Sequence, residues 1–274
     1  GTAVLYYATD AWFIAMSKLR NELHAANAKV NWTPAHIKDG RFGEWVDNVK
    51  DWALSRARYW GTPLPIWECA PCGTYKVVGS LHELPEQPLD AAGNVDVHRP
   101  FIGAMTIPCE KCGAGMARVK DVIVVWFDSG AMPFASDEFP KRYPADYICE
   151  AIDQTRGWFY TLMAVGVLMG QGAPYKNVTC YSHLLDKLGK KMSKSKGNGV
   201  DPWELLSTHG ADVVRWHFYS SAIVKEAQKF DERDFGKGAR SFISLIYNSF
   251  VFLETYGKDS PIFSGKPVHI LDRW

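Results

Sequence analysis

Two short cysteine pairs restrict what this chain can fold into more than anything else in it: Cys69-Ala-Pro-Cys72-Gly73 and Cys109-Glu-Lys-Cys112-Gly113. Each pair can chelate from a tight turn, and the glycine behind it frees the turn so that backbone N–H groups approach the sulfurs. Four thiolates offered in this way are what tetrahedral zinc requires. Positions 73 to 108 supply 36 intervening residues, longer than the usual ribbon spacing, so a small zinc-held insertion is expected. The alternatives are two reduced knuckles without metal, or two disulfides of a secreted protein. The opening run Gly1-Thr-Ala-Val-Leu-Tyr-Tyr-Ala-Thr-Asp10 has no cationic stretch ahead of an apolar core, so no signal peptide is read there and the disulfides are disfavoured. Cys149 and Cys180 stand alone in apolar, strand-like segments and read as small buried hydrophobes.

Around those knuckles the composition is that of a globular protein long enough for a substantial core: 274 residues, 47% hydrophobic and 22% charged. That argues against disorder and low complexity. Lys+Arg 31 against Asp+Glu 30 gives a formal charge of +1, so any contact with a polyanion must come from a local patch. No apolar run reaches the roughly 18 residues of a membrane span, and no membrane partner is expected. The chain has no initiator Met and stops at Leu271-Asp-Arg-Trp274 without a terminating signal, so a piece of a longer protein is expected.

Periodicity predicts a strand over 3–8, a helix over 11–27 and a second amphipathic helix over 43–53, on which Trp45, Val46, Val49 and Trp52 recur at helical spacing. Between Pro63 and Pro108 the chain is rich in Pro, Gly and Asp, with short strand-like pieces such as Tyr75-Lys-Val-Val78. The continuous apolar run 122–127 reads as a strand buried on both faces. Further strands are expected over 147–150 and 177–183, flanking a helix over 156–169. Asp201 reads as the N-cap of a helix with Pro202 in its first turn and Glu204 three residues after the cap. Helices over 211–220 and 237–256 follow, the last with Phe242, Ile246, Phe250 and Leu253 on one face and Gly257 as its stop. Strands alternating with helices imply an α/β fold with a parallel sheet.

The segment Lys187-Leu-Gly-Lys-Lys-Met-Ser-Lys-Ser-Lys-Gly-Asn198 carries Lys187, Lys190, Lys191, Lys194 and Lys196 between Gly189 and Gly197. Five ammonium groups after a strand that ends at the carboxyl edge of a parallel sheet can trap phosphates. Lysine suits a polyphosphate because it is a point charge on a long stem that needs no fixed fork geometry. Read without its wording, the run is equally a solvated basic loop.

Lys191-Met-Ser-Lys-Ser195 is the signature loop of the class I aminoacyl-tRNA synthetases, and the chain resembles their isoleucine-specific branch over nearly its whole length. The resemblance rests on four segments in the order of that family. They are 48–61 (Asn-Val-Lys-Asp-Trp-Ala-Leu-Ser-Arg-Ala-Arg-Tyr-Trp-Gly), Val124-Val-Trp-Phe-Asp-Ser-Gly130, Asp153-Gln-Thr-Arg-Gly-Trp-Phe159 and Lys191-Met-Ser-Lys-Ser-Lys-Gly-Asn198. The valine and leucine enzymes share the architecture, but Asp-Gln-x-Arg-Gly-Trp-Phe is not expected in them.

The resemblance implies the second half of a Rossmann-like class I catalytic domain, with a small zinc-ribbon insertion and the start of an α-helical domain. It implies a division into 1–66 (connective segment), 67–116 (zinc insertion), 117–200 (nucleotide-binding half) and 201–274 (helical region). The parent enzyme would join isoleucine to ATP, with Mg2+, and pass the acyl group to tRNA(Ile); it would be cytoplasmic and monomeric. Lys191 and Lys194 match the two signature lysines and would meet the charge on the transferring phosphates, with Met192 helping to hold the nucleotide. Glu150, Asp153 and Gln154 would contact the adenylate, Trp158 would wall the aliphatic pocket, and His183 could touch ATP. Plain structural roles compete at several of these: core packing for Trp158, a cap for Glu150 or Asp153, an ordinary histidine at 183. Zn2+ would be held by Cys69, Cys72, Cys109 and Cys112. Arg56, Arg58, Trp60, Trp126 and Asp128 lie in family segments without a chemical role that the sequence assigns.

Two departures are visible. Ala151 stands where the family commonly has Gly. The family's His-x-Gly-His segment is absent, since no two of the eight histidines are three apart, and so the isolated chain is expected to be inactive. The competing readings are a valine or leucine enzyme and a non-catalytic zinc-ribbon RNA-binding module.

Overall fold

The computed structural model describes residues 4–5, 7–193, 196–221 and 227–257, without the side chains of 221, 235–237, 239 and 240. The chain divides into two compact units, Gly1–Cys180 and Tyr181–Trp274. In chain order the first holds β1 (Phe13–Ile14), α1 (Arg20–Ala28), β2 (Asn31–Thr33), α2 (His36–Asp39), α3 (Arg41–Asp47), β3 (Trp52–Ala53) and β4 (Ser55–Arg56). Then come β5 (Ile66–Glu68), β6 (Tyr75–Val77), β7 (Thr106–Pro108), β8 (Gly115–Arg118), β9 (Val122–Ile123), α4 (Val125–Ala135), β10 (Ala145–Ala151), α5 (Trp158–Leu168) and β11 (Tyr175–Tyr181). The second unit holds β12 (Leu184–Leu185), α6 (Pro202–His209), α7 (Ala211–Ser221), β13 (Gln228–Lys229) and α8 (Phe235–Tyr256).

The sheet that carries the first unit runs β10-β11-β2, with β11 and β2 parallel and Val178 opposite Trp32. Contacts between β10 and β11 advance in step, from Ala145 N–H on the Pro174 carbonyl to Asn177 on the Asp146 carbonyl, so these two run the same way. Helix α5 is apolar on nearly every side and is buried from Phe159 through Gly166, as a helix without a polar face must be. It can sit that close to α4 because Gly130 has no side chain. A Cβ there would lie 2.5 Å from the Thr161 carbonyl oxygen. Buried Asn27 is satisfied at both ends of its amide: it donates to the Lys38 carbonyl (3.0 Å) and accepts from Trp32 Nε1 (2.9 Å).

The cysteine region is a module of its own within the unit. Its antiparallel sheet runs β6-β5-β8-β7 around buried Trp67, whose indole donates to the Met105 carbonyl. The pair β4–β9, with Ser55 opposite Ile123, ties the ends of the module to the rest of the unit.

Several boundaries differ from the periodicity. The described residues of 3–8 form no strand. The 11–27 helix begins only at Arg20, because Phe13–Ile14 pairs with Trp52–Ala53, and the same pairing ends the second helix at Asp47. The apolar run 122–127 is strand only at Val122–Ile123; from Val125 it is the first turn of α4. A short apolar run carries no period, and packing against α5 decided it. The helix after β10 starts at Trp158, two residues beyond the expected start, preceded by a tight 3-10 turn over Ile152–Arg156.

In the second unit the start signals of α6 are realised: Asp201 Oδ1 accepts from the Trp203 N–H at 2.9 Å and Pro202 opens the first turn. Strands β12 and β13 pair in parallel, and Trp216 stacks on Phe242 of α8 with centroids 4.0 Å apart. The stripe Phe242, Ile246, Phe250 and Leu253 remains largely exposed. Among the described residues no helix is long and apolar enough to cross a membrane.

Candidate functional site

The two knuckles fold alike. Gly73 and Gly113 sit at φ +66° and +75°, where a Cβ is disfavoured, and each donates its N–H to the carbonyl of the first cysteine of its pair at 2.8 Å. Cys69 N–H returns to the Thr74 carbonyl and Cys109 N–H to the Ala114 carbonyl, both at 2.8 Å. β5 and β8 are hydrogen-bonded neighbours, so the two turns face each other and bring Cys69, Cys72, Cys109 and Cys112 Sγ within 4.8 Å of one another. The pairs Cys69–Cys112 and Cys72–Cys109 are 3.5 and 3.6 Å apart. Four sulfurs at zinc–sulfur distances of about 2.3 Å would be about 3.8 Å apart, so the donor set fits a tetrahedral divalent ion. None of the four is oxidised to a disulfide. Burial pushes the Cys69 thiol up, while the Thr74 hydroxyl and backbone hold the Cys72 thiol down. Of the lone cysteines, Cys180 is buried and its thiol is pushed up to about 11 by that burial, and Cys149 is half-buried.

The lysine segment is organised by two polar side chains. Asp186 Oδ1 accepts from the Leu188 and Lys190 N–H groups (2.9 and 2.8 Å), and Asp186 Oδ2 accepts from Asn198 Nδ2 (2.9 Å). Asn198 also donates to the Lys191 carbonyl (3.3 Å) and accepts from the Ser193 N–H (2.9 Å). These bonds, Asn198 first, hold the Asp186 carboxyl below the usual range. The hub leaves Lys187, Lys190, Lys191 and Lys196 exposed, while Met192 packs against the small core of Leu205, Val214 and Phe230. Lys194 and Ser195 lie outside the described residues. A cavity of about 490 Å³ beside the loop is lined by Lys187, Met192 and Asn198 on one side and by Asp231 and Arg233 on the other. His183 is half-buried between β11 and β12 rather than at a strand end.

The remaining expected residues gather at the end of β10. Glu150 is exposed three residues ahead of Asp153, and Gln154 reaches Asp153 Oδ2 at 3.4 Å. Gln154 Oε1 also accepts from the Trp158 N–H (2.9 Å), so the cap of α5 comes from Gln154 and not from Asp153. Half-buried Trp158 packs on the core, and its indole N–H points to the Ser129 carbonyl at 3.4 Å. Ala151 is in ordinary extended backbone (φ −74°), so its methyl carries no strain. Thr155, fully buried, accepts from Arg41 Nε at 3.0 Å and so pins the turn from α3.

The fold brings separate family segments together here. A Cβ on Gly157 would meet Gln154 Oε1 at 2.6 Å and the Trp126 ring at 3.3 Å, so Trp126 of α4 borders the same surface as Gln154 and Trp158. Arg156 lies over the Trp45 ring at 5.4 Å and lines, with Lys50, Arg56 and Trp52, a cavity of about 570 Å³. Burial raises the Asp128 carboxyl, against a hydrogen bond from Thr62 that lowers it. Trp126, Arg56 and Arg156 had no role from sequence; the only signal for them was membership of the shared segments.

The profile of the tRNA synthetases class I (I, L, M and V) matches residues 3–230. The chain is 45% identical over 289 aligned residues to the isoleucine–tRNA ligase of Dehalococcoides mccartyi, covering 99% of this chain and 28% of that protein. It is 44% identical to the isoleucine–tRNA ligase of Thermus thermophilus, covering 100% of this chain and 27% of that protein. The chain thus spans under a third of the length of these relatives. Among solved structures it is similar to methionyl-tRNA synthetase of Mycobacterium tuberculosis in complex with methionyl-adenylate (TM-score 0.58, 18% identity, 91% of this chain and 42% of that one). It is also similar to a LeuRS of Agrobacterium radiobacter in a ternary complex with tRNA and LeuAMS (TM-score 0.56, 22% identity, 79% of this chain and 31% of that one). At these identities the likeness is one of fold.

Proposed function

The chain belongs to the class I tRNA synthetases, and from that premise we propose that it supplies the second half of the amino-acid activation site of an isoleucine–tRNA ligase. The complete enzyme condenses isoleucine with Mg2+-bound ATP to isoleucyl-adenylate and pyrophosphate, then transfers the acyl group to the terminal ribose of tRNA(Ile). It does so in the cytoplasm, where these substrates meet. The observation that carries the reading is identity of 44–45% over almost the whole chain to the isoleucine–tRNA ligases of Dehalococcoides mccartyi and Thermus thermophilus.

As adenylate forms, negative charge builds on the α-phosphoryl group and the departing pyrophosphate. Cations fixed nearby lower the barrier when they meet that charge better than they meet ground-state ATP. Lys191 and Lys194 have this role, and the Asp186–Asn198 hub fixes the backbone at Lys191 through the Lys191 carbonyl. Glu150 and Asp153 accept hydroxyl or ammonium donors of the adenylate. Gln154 acts chiefly as a positioning residue, because its Oε1 is already committed to the α5 amide. Trp158 and Trp126 supply flat apolar walls for an aliphatic side chain. Met192 and His183 border the nucleotide. Zinc on Cys69, Cys72, Cys109 and Cys112 supplies a structural cross-link that holds the two knuckles together; it takes no part in the chemistry.

The test is isoleucine-dependent ATP–pyrophosphate exchange by the full-length enzyme. Lys194→Ala lowers the exchange rate by about a hundredfold or more with the fold unchanged. Exchange at the parental rate, or exchange driven by valine or leucine in preference to isoleucine, overturns the assignment.

A further inference from the structure

Two contacts from helix α3 grip the 3-10 turn Ile152–Arg156, which carries Asp153 and Gln154. Arg41, the first residue of α3, donates from Nε to the Thr155 hydroxyl at 3.0 Å and to the Ile152 carbonyl at 3.3 Å. Thr155, fully buried, donates that hydroxyl to the same carbonyl at 2.7 Å, so the three groups close on one another where the turn begins. Where it ends, the Arg156 guanidinium lies over the Trp45 ring, 5.4 Å from its centroid. Arg41 and Trp45 are four residues apart on α3 and so share one of its faces. That face holds the turn at 152 and 155 with one side chain and at 156 with the other, and Asp153 and Gln154 fall between the two grips.

The turn's own bonds are local: Gln154 reaches Asp153 Oδ2, and it accepts from the Trp158 N–H at its side chain and from the Gly157 N–H at its carbonyl. Such bonds fix the shape of a turn but not its place. Beside the apolar packing of Ile152, its polar anchoring comes from α3. The same face also reaches α5, where Trp45 meets Tyr160 edge-on at 5.7 Å and 86°. The turn and the helix that bears Trp158 are thereby set against a single surface. We propose, on the reading of this turn as part of the amino-acid site, that Arg41 and Trp45 are positioning residues for isoleucine. They hold Asp153, Gln154 and the start of α5 in place before the substrate arrives, so that binding does not have to order them. The phosphates of ATP fall to Lys191 and Lys194 on a separate loop, so a loosened turn weakens isoleucine and spares ATP.

Steady-state ATP–pyrophosphate exchange by the full-length enzyme, with isoleucine and ATP varied in turn, tests this. Arg41→Met, which keeps the aliphatic stem and removes the donor, raises KM for isoleucine by about tenfold, the scale of a lost hydrogen bond from a charged group. Both kcat and KM for ATP stay within about twofold, the pattern of lost binding rather than lost chemistry. Thr155→Val gives the same split and adds little in the double variant with Arg41→Met, since both remove one interaction. Thr155→Ser, which keeps the hydroxyl, recovers most of that loss. Trp45→Leu gives a smaller rise of the same kind, and Trp45→Phe, which keeps a ring beneath Arg156, recovers part of it. Hydrogen exchange at the Gly157 and Trp158 amides is read on the same variants and quickens in Arg41→Met and Thr155→Val. Should Arg41→Met fail to fold, Thr155→Val against Thr155→Ser decides. An unchanged KM for isoleucine, with or without faster hydrogen exchange or a lower thermal midpoint, overturns the proposal, as does an equal loss for isoleucine and ATP. A parental enzyme without isoleucine-dependent exchange overturns the assignment of the site, and this proposal with it.

Discussion

The cysteine module and the lysine loop both present several side chains of one kind from a short turn, and they do so in opposite ways. In the knuckles, backbone bonds of 2.8 Å around Gly73 and Gly113 aim four sulfurs inward at a common centre, and two of the sulfurs are buried. In the loop, Asp186 and Asn198 take the inside of the turn, and Lys187, Lys190, Lys191 and Lys196 are exposed to solvent. The difference follows from the ligand each can serve. A metal ion is small and must be met by donors at one distance, so the protein fixes the donors. A polyphosphate carries charge spread over many oxygens, so separate point charges on long stems meet it without a fixed fork.

The sharpest way to break this contrast is to remove one sulfur. Cys109→Ser should reduce bound zinc from about one per chain to near zero and unfold the module, because structural zinc carries on the order of 10 kcal/mol of folding free energy in small zinc domains. Metal analysis together with loss of Trp67 burial by fluorescence checks it, and a chelator should reproduce the effect. Next in size, Lys191→Ala in the full-length enzyme should slow isoleucine-dependent exchange by about a hundredfold. It should leave zinc content and the thermal midpoint unchanged, since its ammonium is exposed.

Removing the hub tests whether the loop is ordered by those two side chains alone. Asn198→Ala should speed hydrogen exchange at the Leu188 and Lys190 amides by about tenfold, the loss of a net hydrogen bond or so, without touching the metal. The pH dependence has a definite sign. The Asp186 carboxyl is depressed below its ordinary value of 3.8, so what it adds to loop order is complete above that value and is lost as the pH falls through the depressed one. Exchange at the same two amides should therefore be protected at pH 6 and accelerate in acid. The smallest effect compares two glycines with open space around them, Gly113 at φ +75° and Gly197 at φ +64°. Alanine at either costs about 1 kcal/mol of left-handed strain. At 113 that should appear as weaker zinc binding, and at 197 it should leave zinc affinity unchanged.

Much of this was legible in the amino-acid order because the determinants are local. The knuckles, the Asp201 cap and the run of lysines each depend on residues within a few positions of one another, and turn and capping chemistry acts over that range. Where the determinants were distant, the sequence misled. Trp12 to Ile14 looked helical until β3, some forty residues on, is seen paired with it. Val124 to Phe127 looked like strand until Gly130 is seen against the Thr161 carbonyl, which lets α4 pack as a helix. A cap role competed with adenylate contact at Asp153, yet the Gln154 side chain is the one that reaches the α5 amide.

What the chain determined by itself, then, is its inventory: the paired thiols, the cluster of ammonium groups and the segments that place it in its family. Only the tertiary structure decided how distant segments share a surface, setting Trp126 beside Gln154 and Trp158 and bringing the Leu64 and Asp121 carbonyls to the buried Arg118 guanidinium. The physical reason is that turns and caps are settled by bonds within one stretch of backbone, whereas burial, and the charge it strands or satisfies, depends on which remote residues close around a side chain.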